Sequence, residues 1–182
     1  MKTNKFLGIR GNNQILELAV FLVFLMFLSA CGSADNIHLL GEVGVLTGGF
    51  SSTEPSIAVD SNDNVHIVGA NSMPESKGVY YKKLDDNGNP LTADVRVTND
   101  TSYHPSLAID SNSNVHITWQ GELDGIWGIY YKKLDNNGND LTGEVRVTTT
   151  TNVMEPPSIA IDLPDSVYIA WRNDSNREIR YK

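Results

Sequence analysis

The sequence predicts an all-β protein built from four-stranded antiparallel units, and three observations carry this prediction. One segment occurs three times, starting at Pro55, Pro105 and Pro157. Within each copy apolar residues alternate with polar ones, which is the period of a half-buried strand. Clusters rich in Asn, Asp and Gly separate the alternating stretches, as hairpin turns do. Four antiparallel strands in each repeat of about 50 residues are typical of the blades of a β-propeller.

The repeats also set the expected boundaries of the blades. The predicted region covers residues 39–182 and comprises a leading strand at 39–46, blades at 55–98 and 105–148, and a partial blade at 157–182. The leading strand is assigned because residues 39–45 are similar to residues 141–147, a fourth strand. This amounts to about three blades, whereas propellers close with four to eight. We therefore expect a partial propeller, or one completed by a second copy in a homodimer.

The N-terminus predicts a secretory signal peptide at residues 1–30. Lys2, Lys5 and Arg10 precede an apolar stretch, and its uninterrupted part, 18–30, is too short to span a bilayer as a helix. Residues 28–31, Leu-Ser-Ala-Cys, resemble the lipobox of bacterial lipoproteins. That resemblance implies acylation of Cys31, a tether at 31–38 and a lipid anchor at the outer membrane or cell surface of a bacterial envelope. The alternative is a signal peptide with a chance cysteine near its cleavage site.

Composition excludes several classes of function. The net charge is −8 with a pI of about 4.8, and no basic cluster is present, so we expect no nucleic-acid partner. The chain has one cysteine, which excludes an internal disulfide framework and a site with several thiolates. We predict neither a cofactor nor a metal site.

The repeat unit resembles bacterial sialidase-like propeller repeats related to the Asp-box (BNR) family. In residues 84–91, Asp86 and Gly88 match the Asp and Gly of the box, and the second copy keeps Gly138. The resemblance implies that this turn joins the third and fourth strands and that the first strand lies nearest the central axis. It also implies a ligand face, made of the loops 47–54, 99–104 and 149–156 with 70–77, 120–127 and 172–177.

Candidate binding residues lie in those loops, where the copies diverge most. An aromatic side chain beside carboxylates suits stacking on a sugar or contact with a protein. For Trp127, packing against its own blade is the alternative. The candidates are Tyr103, His104, Glu122, Asp124, Trp127, Glu155 and Arg172.

A sialidase-like hydrolase is the alternative from the enzyme class. Such an enzyme needs three arginines around a carboxylate, and the expected face offers only Arg172 and Arg177. Tyr103 is available as the nucleophile and Glu155 as the carboxylate that activates it, but their spacing in the sequence gives no reason to choose them over other residues. We therefore expect a non-catalytic protein that binds a glycan or protein partner. A fragment of a hydrolase, or a truncated product without its own function, remains the alternative.

Other repeated polar residues have a structural interpretation. The clusters that begin at Asp60 and Asp110 offer alternating oxygen ligands, as calcium loops do, but hairpin turns explain them with less effort. His66 and His116 occupy equivalent strand positions and are expected to pack rather than to bind metal. Tryptophans at 119 and 171 are expected in the core between blades.

Overall fold

The computed structural model describes residues 42, 44–46, 52–149, 155–173 and 176–182. The predicted signal peptide, the lipidation site Cys31 and its tether lie outside these residues and stay predictions. Of the predicted strand at 39–46, the described residues are Glu42 and residues 44–46, none of which is assigned to a strand. That strand also stays a prediction.

The described residues are all-β, which confirms the coarse fold prediction, and they form three antiparallel sheets. The first sheet contains β1 (Ser52–Val59), β2 (Val65–Asn71), β3 (Gly78–Leu84) and β4 (Val95–Arg96). The second contains β5 (Ser102–Ile109), β6 (Val115–Leu123), β7 (Ile126–Leu134) and β8 (Val145–Arg146). The third contains β9 (Ser158–Ile161), β10 (Val167–Asn173) and β11 (Glu178–Tyr181). Neighbours in each sheet are consecutive in the chain.

An aspartate holds each turn between the first and second strands of the first two sheets. The Oδ1 atom of Asp60 accepts hydrogen bonds from the backbone N–H groups of Asn62 and Asn64, at 2.8 and 3.0 Å. Asp110 does the same for Asn112 and Asn114, at 2.9 and 2.8 Å. These carboxylates bind the backbone of their own turns, as the hairpin interpretation predicts.

The turn between the third and fourth strands uses the same device, but not the residue expected from the Asp box. Asp85 Oδ1 accepts from the N–H groups of Asn87 and Asn89, at 3.0 and 2.7 Å. Asp86 is exposed and contacts the Asn87 amide instead. The second copy keeps the turn-holding carboxylate as Asp135, which explains why Asn136 is tolerated in the position of Asp86.

A buried polar chain connects each of the first two turns to its sheet. Asp110 Oδ2 lies 3.1 Å from His116 Nε2, and His116 Nδ1 lies 2.8 Å from the hydroxyl of Tyr131. Since a carboxylate only accepts, Nε2 carries the imidazole hydrogen and Nδ1 accepts from the tyrosine O–H. Burial lowers the pKa of His116 and raises that of Tyr131, so both stay neutral near pH 7.

The first sheet repeats this chain with Asp60, His66 and Tyr81, and His66 is fully buried. In the third sheet Tyr168 stands where the histidines stand, and its hydroxyl donates directly to Asp162 at 2.9 Å. The histidines are therefore buried residues that connect the turns to the sheets through hydrogen bonds.

The hydrophobic core lies between consecutive sheets. Trp119 and Ile117 of the second sheet are buried against Val79 and Tyr81 of the first. Trp171 of the third sheet is buried in a cluster that includes Ile129 of the second. Both tryptophans thus fill the space between sheets, which confirms the expectation from the repeat.

The first strands of successive sheets lie beside one another. β1 contacts β5, and β5 contacts β9. The Oγ atom of Ser56 accepts a hydrogen bond from the N–H of Leu107 at 3.2 Å, and Ser106 Oγ accepts equivalently from Ile159 at 3.4 Å. The same serine contact therefore joins each sheet to the next.

Two sheet flanks have no described sheet packed against them. The leading flank is the face of the first sheet that carries Ile57, Val59, Ile67 and Gly69. The trailing flank is the face of the third sheet that carries Ala160, Ala170, Ile179 and Tyr181. Ile57 and Val59 are 65% and 57% exposed, whereas Leu107, the equivalent of Ile57, is 6% exposed. Ile179 and Tyr181 are 74% and 78% exposed.

Candidate functional site

Five of the seven candidate residues lie at one end of the second sheet. Tyr103 pairs with Gln120 across β5 and β6, and Glu122 pairs with Trp127 across β6 and β7. Asp124 and Gly125 form a two-residue turn in which both residues have positive φ, at 52° and 76°. The interpretation of 120–127 as a loop is therefore wrong, because β6 and β7 continue to a tight hairpin. The Asp-Gly dipeptide was the signal for this turn.

Two aromatic side chains form the centre of this surface. The rings of Tyr103 and Trp127 are parallel within 6°, and their centroids are 6.3 Å apart. Tyr103 is 36% exposed and Trp127 is half-buried. Trp127 is also fixed through its backbone, because its carbonyl accepts a hydrogen bond from Arg146 Nη2 at 3.3 Å. Arg146 thus supports the scaffold of the second sheet.

The neighbouring His104 is held by a residue of the first sheet. Glu54 Oε2 accepts from the N–H of His104 at 2.6 Å, and Glu54 Oε1 lies 3.0 Å from His104 Nδ1. Both residues have positive φ, at 57° and 52°, and lie within irregularities of β1 and β5. Such irregularities redirect side chains at sheet edges. Sequence reasoning missed Glu54, although it stands 50 residues before His104, at the equivalent repeat position.

Glu155, in the segment before β9, and Arg172, on β10, form an ion pair. Arg172 Nη1 lies 2.6 Å from Glu155 Oε1, and both side chains are more than one-third exposed. In the repeat, these residues occupy the positions of Tyr103 and Gln120. The same site thus carries an aromatic–amide pair in the second sheet and an ion pair in the third.

The catalytic roles considered for Tyr103 and Glu155 receive no support from their contacts. Tyr103 lies against Trp127, and Glu155 is paired with Arg172. Across the described ranges, no hydrogen bond joins Tyr103 to Glu155. The side chain of Arg96 bonds the carbonyls of Thr98 and Lys77, a scaffold contact like that of Arg146.

The equivalent positions show that the aromatic pair is peculiar to the second sheet. Thr53 and Lys77 stand in the first sheet where Tyr103 and Trp127 stand in the second, and Arg177 takes the place of Trp127 in the third. The Nζ of Lys77 instead donates to Thr101 Oγ1 at 2.9 Å. The buried residues repeat while this end changes, which is how binding surfaces vary on a constant scaffold.

The described residues contain no group of three or more His, Cys, Asp or Glu side chains arranged to hold a metal ion. In the same residues, no helix is both long and apolar enough to cross a bilayer.

Comparisons with known proteins do not identify a family for this chain. No protein-family model matches the sequence, and no curated protein matches it. Among solved structures, the chain is similar to an endo-arabinase from Bacteroides thetaiotaomicron, with a TM-score of 0.48 and 13% sequence identity. The match covers 77% of this chain and 57% of the arabinase chain, so this chain spans little more than half the length of that protein.

Proposed function

We propose that the three sheets are blades forming an arc of a β-propeller, and that the end of the second blade binds a glycan. The parallel rings of Tyr103 and Trp127 carry this proposal. A flat aromatic face stacks on the apolar C–H face of a sugar ring. Glu122, paired with Trp127 across the strands, places a carboxylate on the same hairpin as the rings, whereas Gln120, paired with Tyr103, is buried.

The charges of this surface favour a neutral glycan. Carboxylates of Glu54, Glu122 and Asp124 lie on or beside the hairpin end. Carboxylates accept hydrogen bonds from sugar hydroxyls but repel the carboxylate of a sialic acid. This distinguishes the proposed binding from the sialidase-like alternative, which needs cations at that place.

Trp127→Ala is expected to weaken binding of a neutral oligosaccharide about tenfold, since loss of one stacking aromatic costs about 1.5 kcal/mol. Calorimetry with gluco-, manno- and galacto-oligosaccharides measures the affinity. The matched control is Leu141→Ala, which removes an exposed apolar side chain at the opposite end of the second sheet and should leave binding unchanged.

Three results would contradict this proposal. Absence of binding to every neutral oligosaccharide would favour a protein partner. Preferential binding of a sialylated glycan would show that the surface charge has been misjudged. Hydrolysis of a sialoside that Trp127→Ala abolishes would support the enzyme alternative.

We further propose that the lipid on Cys31 anchors the protein at the bacterial cell envelope. The support is the Leu-Ser-Ala-Cys sequence directly after an apolar stretch. An acidic chain gains nothing from anionic headgroups, so the acyl chains must supply the membrane affinity.

Cys31→Ser is expected to abolish labelling by radioactive palmitate and to move the protein out of the membrane fraction. Ser33→Ala, two residues further on, is the control and should keep both properties. Labelling that survives in Cys31→Ser would disprove the anchor.

A further inference from the structure

Val45 and Leu46 lie against the leading flank of the first sheet. Together with Ile57, Ile67 and Gly69 they line an open cavity of about 420 Å³. Leu46 Cδ1 lies 3.2 Å from the position that a Cβ atom on Gly69 would take. The other two sheets have Trp119 and Trp171 at the position of Gly69. The glycine thus leaves room for Leu46 at a place where the other sheets are filled by their own side chains.

This contact reproduces one found between the second and third sheets. There Val145 and Val147 line a groove with Val167 and Ile169. In the repeat alignment Val45 corresponds to Val147, and Ile67 corresponds to Ile169. Val45 therefore occupies, against the first sheet, the place that the fourth strand of a preceding sheet would occupy.

The third sheet has an edge that such a strand fits. In the first two sheets the fourth strand pairs with the third strand, and the valine directly after the fourth strand donates to a carbonyl of the third. Val97 N–H bonds Val79 O at 2.8 Å, and Val147 N–H bonds Ile129 O at 2.8 Å. By the repeat alignment, Val45 corresponds to Val147 and Ile179 corresponds to Ile129. The corresponding bond would therefore run from the N–H of Val45 to the carbonyl of Ile179. β11, which carries Ile179, lies at an edge of its three-stranded sheet.

The flanks are also complementary along β1 and β9, the first strands of the first and third sheets. Ser56 accepts from Leu107 and Ser106 accepts from Ile159. By the repeat alignment, Ser158 corresponds to Ser56 and Ser106, and Ile57 corresponds to Leu107 and Ile159. The same contact between two copies would have the Oγ of Ser158, on the trailing flank, accept from the N–H of Ile57, on the leading flank. At their first strands the two flanks thus match surfaces that already pack together twice within the chain.

We propose that the leading flank of one copy packs on the trailing flank of a second copy, whose third sheet takes residues 44–46 of the first copy as its fourth strand. The exchange is reciprocal, so two copies close a ring of six sheets, within the four to eight that propellers use. The inference rests on the blade arrangement proposed above but not on glycan binding.

Disulfide trapping tests this interface in the full chain with Cys31→Ser, which removes the native cysteine. One preparation carries Ile57→Cys and another carries Ser158→Cys. Mixed under mild oxidation, they should form a covalent heterodimer far faster than either forms a homodimer. Ser106→Cys with Ile159→Cys in one chain is the control for reactivity at the equivalent contact within the molecule.

Two outcomes overturn the proposal. One is that the control chain forms its internal disulfide while the mixture of Ile57→Cys and Ser158→Cys forms no cross-link. The other is Ile57→Cys that cross-links to itself as fast as to Ser158→Cys, because leading flanks would then meet each other.

A second pair of variants tests the apolar packing directly. Val59→Asp places a charge on the leading flank and should lower the cross-linking yield at least about tenfold. Leu91→Asp, at a position of similar exposure outside both flanks, should leave the yield unchanged. Equal yields in the two variants would contradict the interface. The cross-linking experiment contains no glycan. A failure to cross-link would therefore contradict the interface but not the proposed glycan binding, which the calorimetry tests separately.

Discussion

Asp110→Ala is expected to lower the free energy of unfolding by about 3–5 kcal/mol, because removal of a buried charge leaves its partners unpaired. The carboxylate is almost fully buried and lies 2.8 Å from the Nζ of Lys133. It also accepts from Asn112, Asn114 and His116. The turn, the second strand and the third strand of the second sheet therefore lose one common partner.

Urea unfolding measures this loss, and Asp86→Ala is the control. Asp86 is exposed and contacts only the Asn87 amide among the described residues, at 2.7 Å. Its replacement should cost less than about 1 kcal/mol. Similar losses in the two variants would show that the buried carboxylate does not organise the sheet. If the alanine variant does not fold, Asp110→Asn provides the comparison, with a smaller loss expected.

Stability is expected to fall in two stages as the pH is lowered. Burial lowers the pKa of His66 and His116 from the ordinary value of about 6.5. The unfolded chain then binds protons that the folded chain does not, so stability starts to decline as the pH falls below about 6.5.

The second stage belongs to the aspartates. Burial alone would raise the pKa of Asp60 and Asp110, but hydrogen bonds to their carboxylates outweigh it and hold both values well below the ordinary range. Asn64 and Lys133 are the strongest of these partners, for Asp60 and Asp110 respectively. The stability that these carboxylates contribute is fully present above about pH 4 and is lost as the pH falls further.

The urea midpoint measured from pH 8 to pH 2 should show both stages. In the variant with His66→Gln and His116→Gln, the decline near pH 6.5 should disappear while the decline below about pH 4 remains. Glutamine can donate to the aspartate and accept from the tyrosine, but it does not titrate. A midpoint that stays constant from pH 6.5 to pH 3 in the unsubstituted protein would contradict both assignments.

The strands and turns could be predicted because they depend on local sequence and on the repeat. Alternating residues such as Ile57 and Val59 identify β1, and the Asp60 cluster identifies its turn. The start of β1 at Ser52 was not predicted, since Glu54 and Pro55 interrupt the alternation at an irregularity. Asp85 was missed as the holder of its turn, because the Asp-box alignment directs attention to Asp86.

The site was predicted as a set of residues but not as an arrangement. Tyr103 and Trp127 were both candidates, yet their parallel contact depends on the register of three strands. The pairing of Glu54 with His104 depends on how one sheet lies on the next, which no local pattern encodes. The pairing of Glu155 with Arg172 likewise depends on how a connecting segment lies beside β10.

The serine contact that joins consecutive sheets has a consequence for how the gene can change in length. Because Ser56 meets Leu107 in the same way that Ser106 meets Ile159, each junction is chemically interchangeable with the other. Deletion or duplication of the second unit would join surfaces that already match, because Trp119 and Trp171 stand at the same position. Stability in such arrays is approximately a sum over units and their nearest neighbours. Unequal recombination within this gene would therefore yield foldable products of different lengths, each with its own set of hairpin ends.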